Sequence, residues 1–127
     1  CDLLRRLAAL PLSKRVVIKR AGYSAVRGAT VLRPHCGVSN AHLKLHVGVT
    51  VPTRDDGTPC AMLTVGTETR SWREGEVLFF DDSWRHWVRH TCEHQRVIFQ
   101  VVIEHPDATA AVGASGGSLA LTACSGH

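Results

Sequence analysis

No Cys-x-x-Cys pair occurs in this sequence, although it has five cysteines, at positions 1, 36, 60, 92 and 124. A structural zinc site of the paired-cysteine type is therefore not expected. The odd count leaves at least one thiol without an intramolecular partner, and the spacing does not decide the redox compartment. Nor is there a lysine/arginine run. Fifteen basic side chains against 11 acidic ones give a net charge of +4. That balance suits an anionic small molecule, and nothing resembles a nucleic-acid-binding arm. No apolar stretch approaches the roughly 18 residues of a membrane span, and no secretory signal is visible, so no membrane contact is expected within this chain. The sequence opens on Cys1 rather than Met, which reads as a fragment or a processed piece.

What is present fits one domain. The chain has 127 residues, 44% of them hydrophobic, and eight histidines. Imidazole is the commonest transition-metal ligand, so that count is informative. Residues 2–10 have helical spacing, with Leu3, Leu7 and Leu10 on one face, Asp2 as N-cap and Pro11 as the stop. From Lys14 onward the pattern is β. Strands are expected over 15–20, over 23–33 after a break at Gly22 and with a bulge at Gly28, over 60–65, 77–80, 84–90 and 95–104. Residues 66–70 read as a hairpin turn. About eight short strands with Gly, Pro and Asp turns, and no helical pattern between them, predict an all-β jelly-roll or double-stranded β-helix barrel. Residues 107–127 are Ala/Gly/Ser-rich and read as a disordered tail.

The stretch from Arg33 to Val51 is the densest in chemistry. It opens with the turn Pro34-His35-Cys36-Gly37 and continues as an alternating strand. Ala41, Leu43, Leu45, Val47, Val49 and Val51 form one face; His42, Lys44, His46, Gly48 and Thr50 form the other. Two imidazoles and an ammonium on one face make either a solvated surface or the wall of an anion site. His86, after Asp81-Asp82-Ser83, and Arg96 on the last strand complete the candidates. In a double-stranded barrel, strand ends from both halves meet at one mouth.

These residues carry a resemblance. Pro34-His35-x-Gly37, Asn40, Leu43-x-Leu45-His46-x-Gly48, Trp72-x-x-Gly75-x-Val77-Leu78-x-Phe80-Asp81-Asp82-Ser83-x-x-His86, Arg96-x-Ile98-Phe99 and His105-Pro106 resemble the catalytic domain of the aspartyl/asparaginyl β-hydroxylases. Those are iron(II)- and 2-oxoglutarate-dependent dioxygenases on a double-stranded β-helix. The resemblance implies a domain over residues 1–106, truncated at its N-terminus, and is closest to the β-hydroxylase domain-containing proteins.

The resemblance makes His35 and His86 the iron ligands. Position 37 is Gly where such oxygenases usually carry the Asp of His-x-Asp, so the facial-triad carboxylate is absent, as in the β-hydroxylase pattern. Arg96 matches the arginine that grips the distal carboxylate of 2-oxoglutarate, and Ser24 a hydroxyl donor to the same group. His46 matches a histidine near the iron-side carboxylate. Lys44 stands where the hydroxylases carry Arg; it keeps the charge and loses the fork. The implied activity consumes dioxygen and 2-oxoglutarate and hydroxylates the β-carbon of Asp or Asn in a protein, such as an epidermal-growth-factor-like repeat. The implied setting is the lumen of the endoplasmic reticulum or secretory pathway, on a membrane-anchored protein.

Without the resemblance each residue has a plainer reading. His35 alone is a surface-turn histidine, Arg96 and Lys44 are solvated strand residues, and Ser24 carries no signal. His42 reads as a supporting or solvated residue. Asp81-Asp82 reads as a turn hydrogen-bonding its own backbone, with neither aspartate expected to bind iron. Two other functions compete: a catalytically inactive barrel serving as a binding or scaffold module, and a zinc cupin taking a third ligand from His42 or His46.

Overall fold

The computed structural model describes residues 16–105. The helix expected at 2–10 and the tail expected at 107–127 lie outside the described residues. Within them run eight strands: β1 (Ile18–Val26), β2 (Thr30–His35), β3 (His42–Thr50), β4 (Ala61–Val65), β5 (Glu68–Ser71), β6 (Val77–Asp81), β7 (His86–His90) and β8 (Arg96–Glu104). They form two four-stranded sheets, ordered β1-β8-β3-β6 and β2-β7-β4-β5, with every ladder between named strands antiparallel. Consecutive strands alternate between sheets for most of the chain, as a jelly roll requires.

Three local expectations are corrected. Gly22 does not break a strand; it pairs with Gln100 in the middle of β1. Gly28 is not a bulge but the turn between β1 and β2, where its φ of 60° is open to glycine at little cost. Residues 66–70 are not all turn: the reversal is at Gly66, and β5 begins at Glu68 because Thr69 and Arg70 pair with Thr64 and Leu63. A polar edge strand gives little period-2 signal, which is why residues 68–70 read as part of the turn.

The core lies between the sheets. Ala61, Leu63, Trp72, Val88 and Ile98 are buried together, with Val51, Val65, Leu78 and Phe80 packed around them. Each large side chain buried here contributes roughly 1.5–3 kcal/mol relative to exposure. A second cluster of Leu43, Val101 and Ile103 occupies the opposite face of the first sheet. Alternation on β3 therefore has an unusual sense. The apolar face of Leu43 and Leu45 is the outer one, and Lys44, His46 and Gly48 point between the sheets. Gly48 exchanges backbone hydrogen bonds with Glu76 and Gly75, at 3.1 and 2.9 Å. That crossing draws the β5–β6 connection over β3 and carries Trp72 into the interior.

A disulfide joins Cys60, at the start of β4, to Cys92, just past β7, with Cα atoms 5.4 Å apart. Cys36 is disulfide-bonded as well. Sequence spacing did not reveal the Cys60–Cys92 link, because its two ends meet only when β4 and β7 pair.

Candidate active site

β2 and β7 are neighbours, and His35 stands opposite His86 in their ladder. The ring centroids are 4.3 Å apart, with planes tilted by 58°. Both rings are held in the same way. Nδ1 of His35 lies 2.8 Å from the Arg33 carbonyl, and Nδ1 of His86 lies 2.8 Å from the Trp84 carbonyl. A carbonyl oxygen only accepts, so each Nδ1 carries the proton and each Nε2 keeps its lone pair. This is how metal-ligating imidazoles are commonly oriented. His86 is buried, whereas His35 is exposed, so the pair sits at a mouth. Burial holds His86 below the usual imidazole range, with smaller pulls of both signs from its neighbours.

Position 37 has no room for a side chain. A Cβ there would meet the Asp82 carboxylate at 2.5 Å, and the Gly37 N–H donates to the Asp82 carbonyl at 2.6 Å. A side chain at 37 would require the Asp82 carboxylate to leave its place beside Lys44. The two aspartates of the β6–β7 turn differ. Asp81 behaves as the turn reading expects, its Oδ1 accepting from the Ser83 N–H at 2.9 Å. Asp82 does not: it is buried, its Oδ2 is 3.2 Å from Lys44 Nζ, and its Oδ1 has no hydrogen-bond partner among the described residues. Its negative charge also acts on His86.

Deeper between the sheets lies a second cluster. Arg96 is 1% exposed. Its guanidinium carbon is 4.6 Å from the centroid of the Trp72 ring, its Nη2 donates to Ser24 Oγ at 3.3 Å, and its Nε is unpartnered among the described residues. Burial lowers its pKa to about 10, so it stays charged at neutral pH. The Trp72 indole N–H donates to His46 Nδ1 at 3.3 Å, which leaves the proton of neutral His46 on Nε2. That buried N–H has no partner among the described residues. Gln100, across the ladder, pulls on the His46 titration without closing a hydrogen bond of proper geometry. Burial, then the charges of Arg96 and Lys44, lower the His46 pKa to about 3. Phe80 links the clusters, its ring 5.0 Å from His46 and 5.3 Å from His86.

The structure therefore brings together His35 with His86, and Arg96 with Ser24, Trp72 and His46. Lys44 is nearby but engaged by Asp82. His42 is half-buried and joins neither cluster. Among the described residues, no three His, Cys, Asp or Glu side chains are grouped to hold one ion, so the third ligand a zinc cupin needs is not assembled there. Sequence reasoning missed Trp72, Phe80 and Asp82. The glycine at 37 was the one signal for Asp82, since a conformationally ordinary turn with a glycine invites the question of what approaches it.

The orphaned polar atoms bear on what this cluster would bind. Arg96 Nε and His46 Nε2 are both donors, and leaving buried donors unpaired costs roughly 1–3 kcal/mol each. An acid with carboxylate oxygens is the complement. The His35–His86 pair offers two neutral nitrogen donors, a set suited to a divalent first-row metal. By donor type, the histidine pair suits a first-row metal and the Arg96–His46 donors suit a carboxylate.

Two packed antiparallel sheets with a histidine-bearing mouth define the cupin class of barrel. Among solved structures, the Schizosaccharomyces pombe Cnp3 cupin domain superposes with a TM-score of 0.55 at 8% identity, covering 87% of this chain and 80% of that one. The protein TT1209 from Thermus thermophilus does so with a TM-score of 0.51 at 17% identity, covering 81% and 95%. At such identities these likenesses speak for the fold alone. The sequence goes further: the family described as Aspartyl/Asparaginyl beta-hydroxylase matches residues 1–106, and this chain belongs to that family. It is 37% identical over 109 residues to the aspartyl/asparaginyl beta-hydroxylase of Mus musculus, covering 86% of this chain and 14% of that protein. It is 36% identical over 98 residues to aspartate beta-hydroxylase domain-containing protein 2 of Xenopus tropicalis, covering 75% and 25%. The chain thus spans a small part of the curated relatives it matches.

Proposed function

We propose that this domain is an iron(II)- and 2-oxoglutarate-dependent dioxygenase that hydroxylates Asp or Asn side chains in a protein substrate. One observation carries the reading: two imidazoles from adjacent strands, each with Nδ1 tied to a backbone carbonyl, face each other at the barrel mouth. Family membership and the relatives' names as β-hydroxylases support it. When bound, the metal and the keto acid supply the oxidative chemistry, with loss of carbon dioxide and formation of succinate.

The chain's own part is binding and orientation. His35 and His86 hold the metal through Nε2. Arg96, steadied by Trp72 and Ser24, receives the distal carboxylate, and the His46 Nε2–H donates to an oxygen of the same molecule. Lys44 supplies a positive charge near the pair, shared with Asp82. Asp82, paired with Lys44, sets a negative charge near His86. Phe80 and Trp72 exclude water from the space between. An epidermal-growth-factor-like repeat is the substrate we favour. The Cys60–Cys92 disulfide supports an oxidising compartment, in keeping with a secretory-pathway lumen.

The test is succinate formation from 2-oxoglutarate with iron(II) and oxygen. His35→Ala and His86→Ala each reduce it to background; turnover retained in either variant removes that histidine from the role. A second reading, a binding module without turnover, is favoured by the engagement of Lys44 with Asp82. Calorimetric binding of 2-oxoglutarate with manganese(II), without succinate production under iron(II), would select it.

A further inference from the structure

A cleft of about 630 Å³ opens beside the mouth, between the β4–β5 hairpin and β6. Its lining has an informative pattern. From β6 it takes all five consecutive residues, Val77–Asp81. Side chains in a strand alternate between faces, so a cavity over one face would take only every second residue. A cavity lined by all five runs along the backbone edge of the strand. That edge is free: among the described residues β6 ladders with β3 alone and ends its sheet. The other side of the cleft is lined by Leu63, Val65, Glu68 and Arg70, alternate residues of β4 and β5. Trp84, 64% exposed, stands at the end nearest His86.

We propose that this cleft docks an extended segment of the substrate polypeptide, which adds as a strand to the free edge of β6 and so presents a side chain to the His35–His86 pair. The proposal rests on the dioxygenase reading above and specifies how that site receives its substrate. An unpaired strand edge has a row of backbone donors and acceptors that an extended chain satisfies and a helix does not. A five-residue edge spans about 17 Å at 3.4 Å per residue, which accommodates a segment of similar length. The apolar walls suit alternate apolar side chains. Glu68 and Arg70 pair with each other at 3.2 Å with side chains 73% and 69% exposed, so Arg70 is readily reassigned to an acidic residue of the segment. The cleft is also continuous with the candidate site: Phe80, whose ring is 5.3 Å from His86, lines both. A second copy of this chain is the competing occupant.

The probe is a synthetic ten-residue peptide of alternating apolar residues around a central aspartate, compared with a twin N-methylated at alternate backbone nitrogens. Binding is read by fluorescence anisotropy, and contact by amide hydrogen exchange over Val77–Asp81, both with manganese(II) and 2-oxoglutarate present. We expect the peptide to slow exchange in β6 at least tenfold, and N-methylation and Phe79→Lys each to weaken binding at least tenfold. Equal binding of the two peptides, no binding at millimolar concentration, or protection confined to another strand overturns the proposal. Protection of β6 that grows with protein concentration and needs no peptide assigns the edge to a second copy and also overturns it. The underlying reading fails separately. Peptide docking at β6 without any succinate under iron(II) would refute turnover and leave the dock, whereas hydroxylation undiminished by Phe79→Lys and Trp84→Ala would refute the dock and leave turnover.

Discussion

The Asp82 carboxylate lies where any side chain at Gly37 would have to begin, 2.5 Å from the place of its Cβ. A side chain at position 37 and the present place of the Asp82 carboxylate beside Lys44 are therefore mutually exclusive. Gly37→Asp would recreate the His-x-Asp spacing of the common facial triad. We expect it to harm rather than help. Overpacking costs about 1–3 kcal/mol, and manganese(II) affinity should not rise. The double variant Gly37→Asp, Asp82→Gly restores the space and returns a carboxylate to the neighbourhood of Lys44, so it should recover part of the stability. Denaturant unfolding and metal titration check both statements; tighter metal binding by the single variant would contradict them.

Lys44 and Asp82 form a mostly buried ion pair, with side chains 15% and 7% exposed. Truncating one partner strands the other charge. Asp82→Ala and Lys44→Ala should each destabilise by about 2–4 kcal/mol, and the double variant by less than the sum. A double-mutant cycle by urea denaturation measures the coupling. A coupling near zero would mean that the pair is incidental. Lys44→Arg keeps the charge and gains a fork, so it should tighten 2-oxoglutarate binding several-fold by calorimetry; unchanged affinity would show that Lys44 serves Asp82 alone.

His46 and His86 are both held below the usual imidazole pKa by burial, His46 to about 3. The sign of the linkage follows. Below the unfolded-state value of about 6.5 the unfolded chain takes up protons that the folded chain refuses. Stability of the metal-free protein is therefore full above pH 6.5 and falls as the pH drops towards 3. Each such histidine adds a slope of about 1.4 kcal/mol per pH unit within its window. His46→Gln should flatten the profile of unfolding free energy between pH 6 and 4 by close to one proton. An unchanged slope would show that His46 is protonated in the folded protein.

The Cys60–Cys92 bridge closes a 32-residue separation and fastens β4 to β7, the strand that begins with His86. Reduction, or Cys92→Ser, should lower stability by about 2–4 kcal/mol on the chain-entropy account. Because the bridge lies at the far end of β7 from His86, metal affinity should change less than twofold. Thermal melts with and without reductant, beside manganese(II) titrations, test the two halves.

Much of this was written in the one-dimensional pattern. Period-2 alternation marked β3 and β8, and turn residues set the spacing, so an all-β barrel was legible before any coordinate. The motif residues pointed to His35, His86, Ser24, His46 and Arg96 as the places to look. The edge strand β5 was not legible, because its polar residues carry little alternation. Nor was the sense of β3 legible by the usual rule, which would have turned Leu43 and Leu45 inward and set the histidine face towards water.

Sequence alone determined most of the strands, β5 excepted, and the chemistry available on them, because those depend on neighbours one or two residues apart; the family was legible from motifs spread between Pro34 and Pro106. Tertiary structure alone decided that Asp82 fills the space over Gly37, that Trp72 lies under Arg96, and that Cys60 meets Cys92. Each of those facts joins residues from different strands, and no local propensity encodes which strands become neighbours. Packing of the two sheets chose them, by burying the apolar cluster around Trp72 and Ile98 and leaving the polar groups to converge on what space remained.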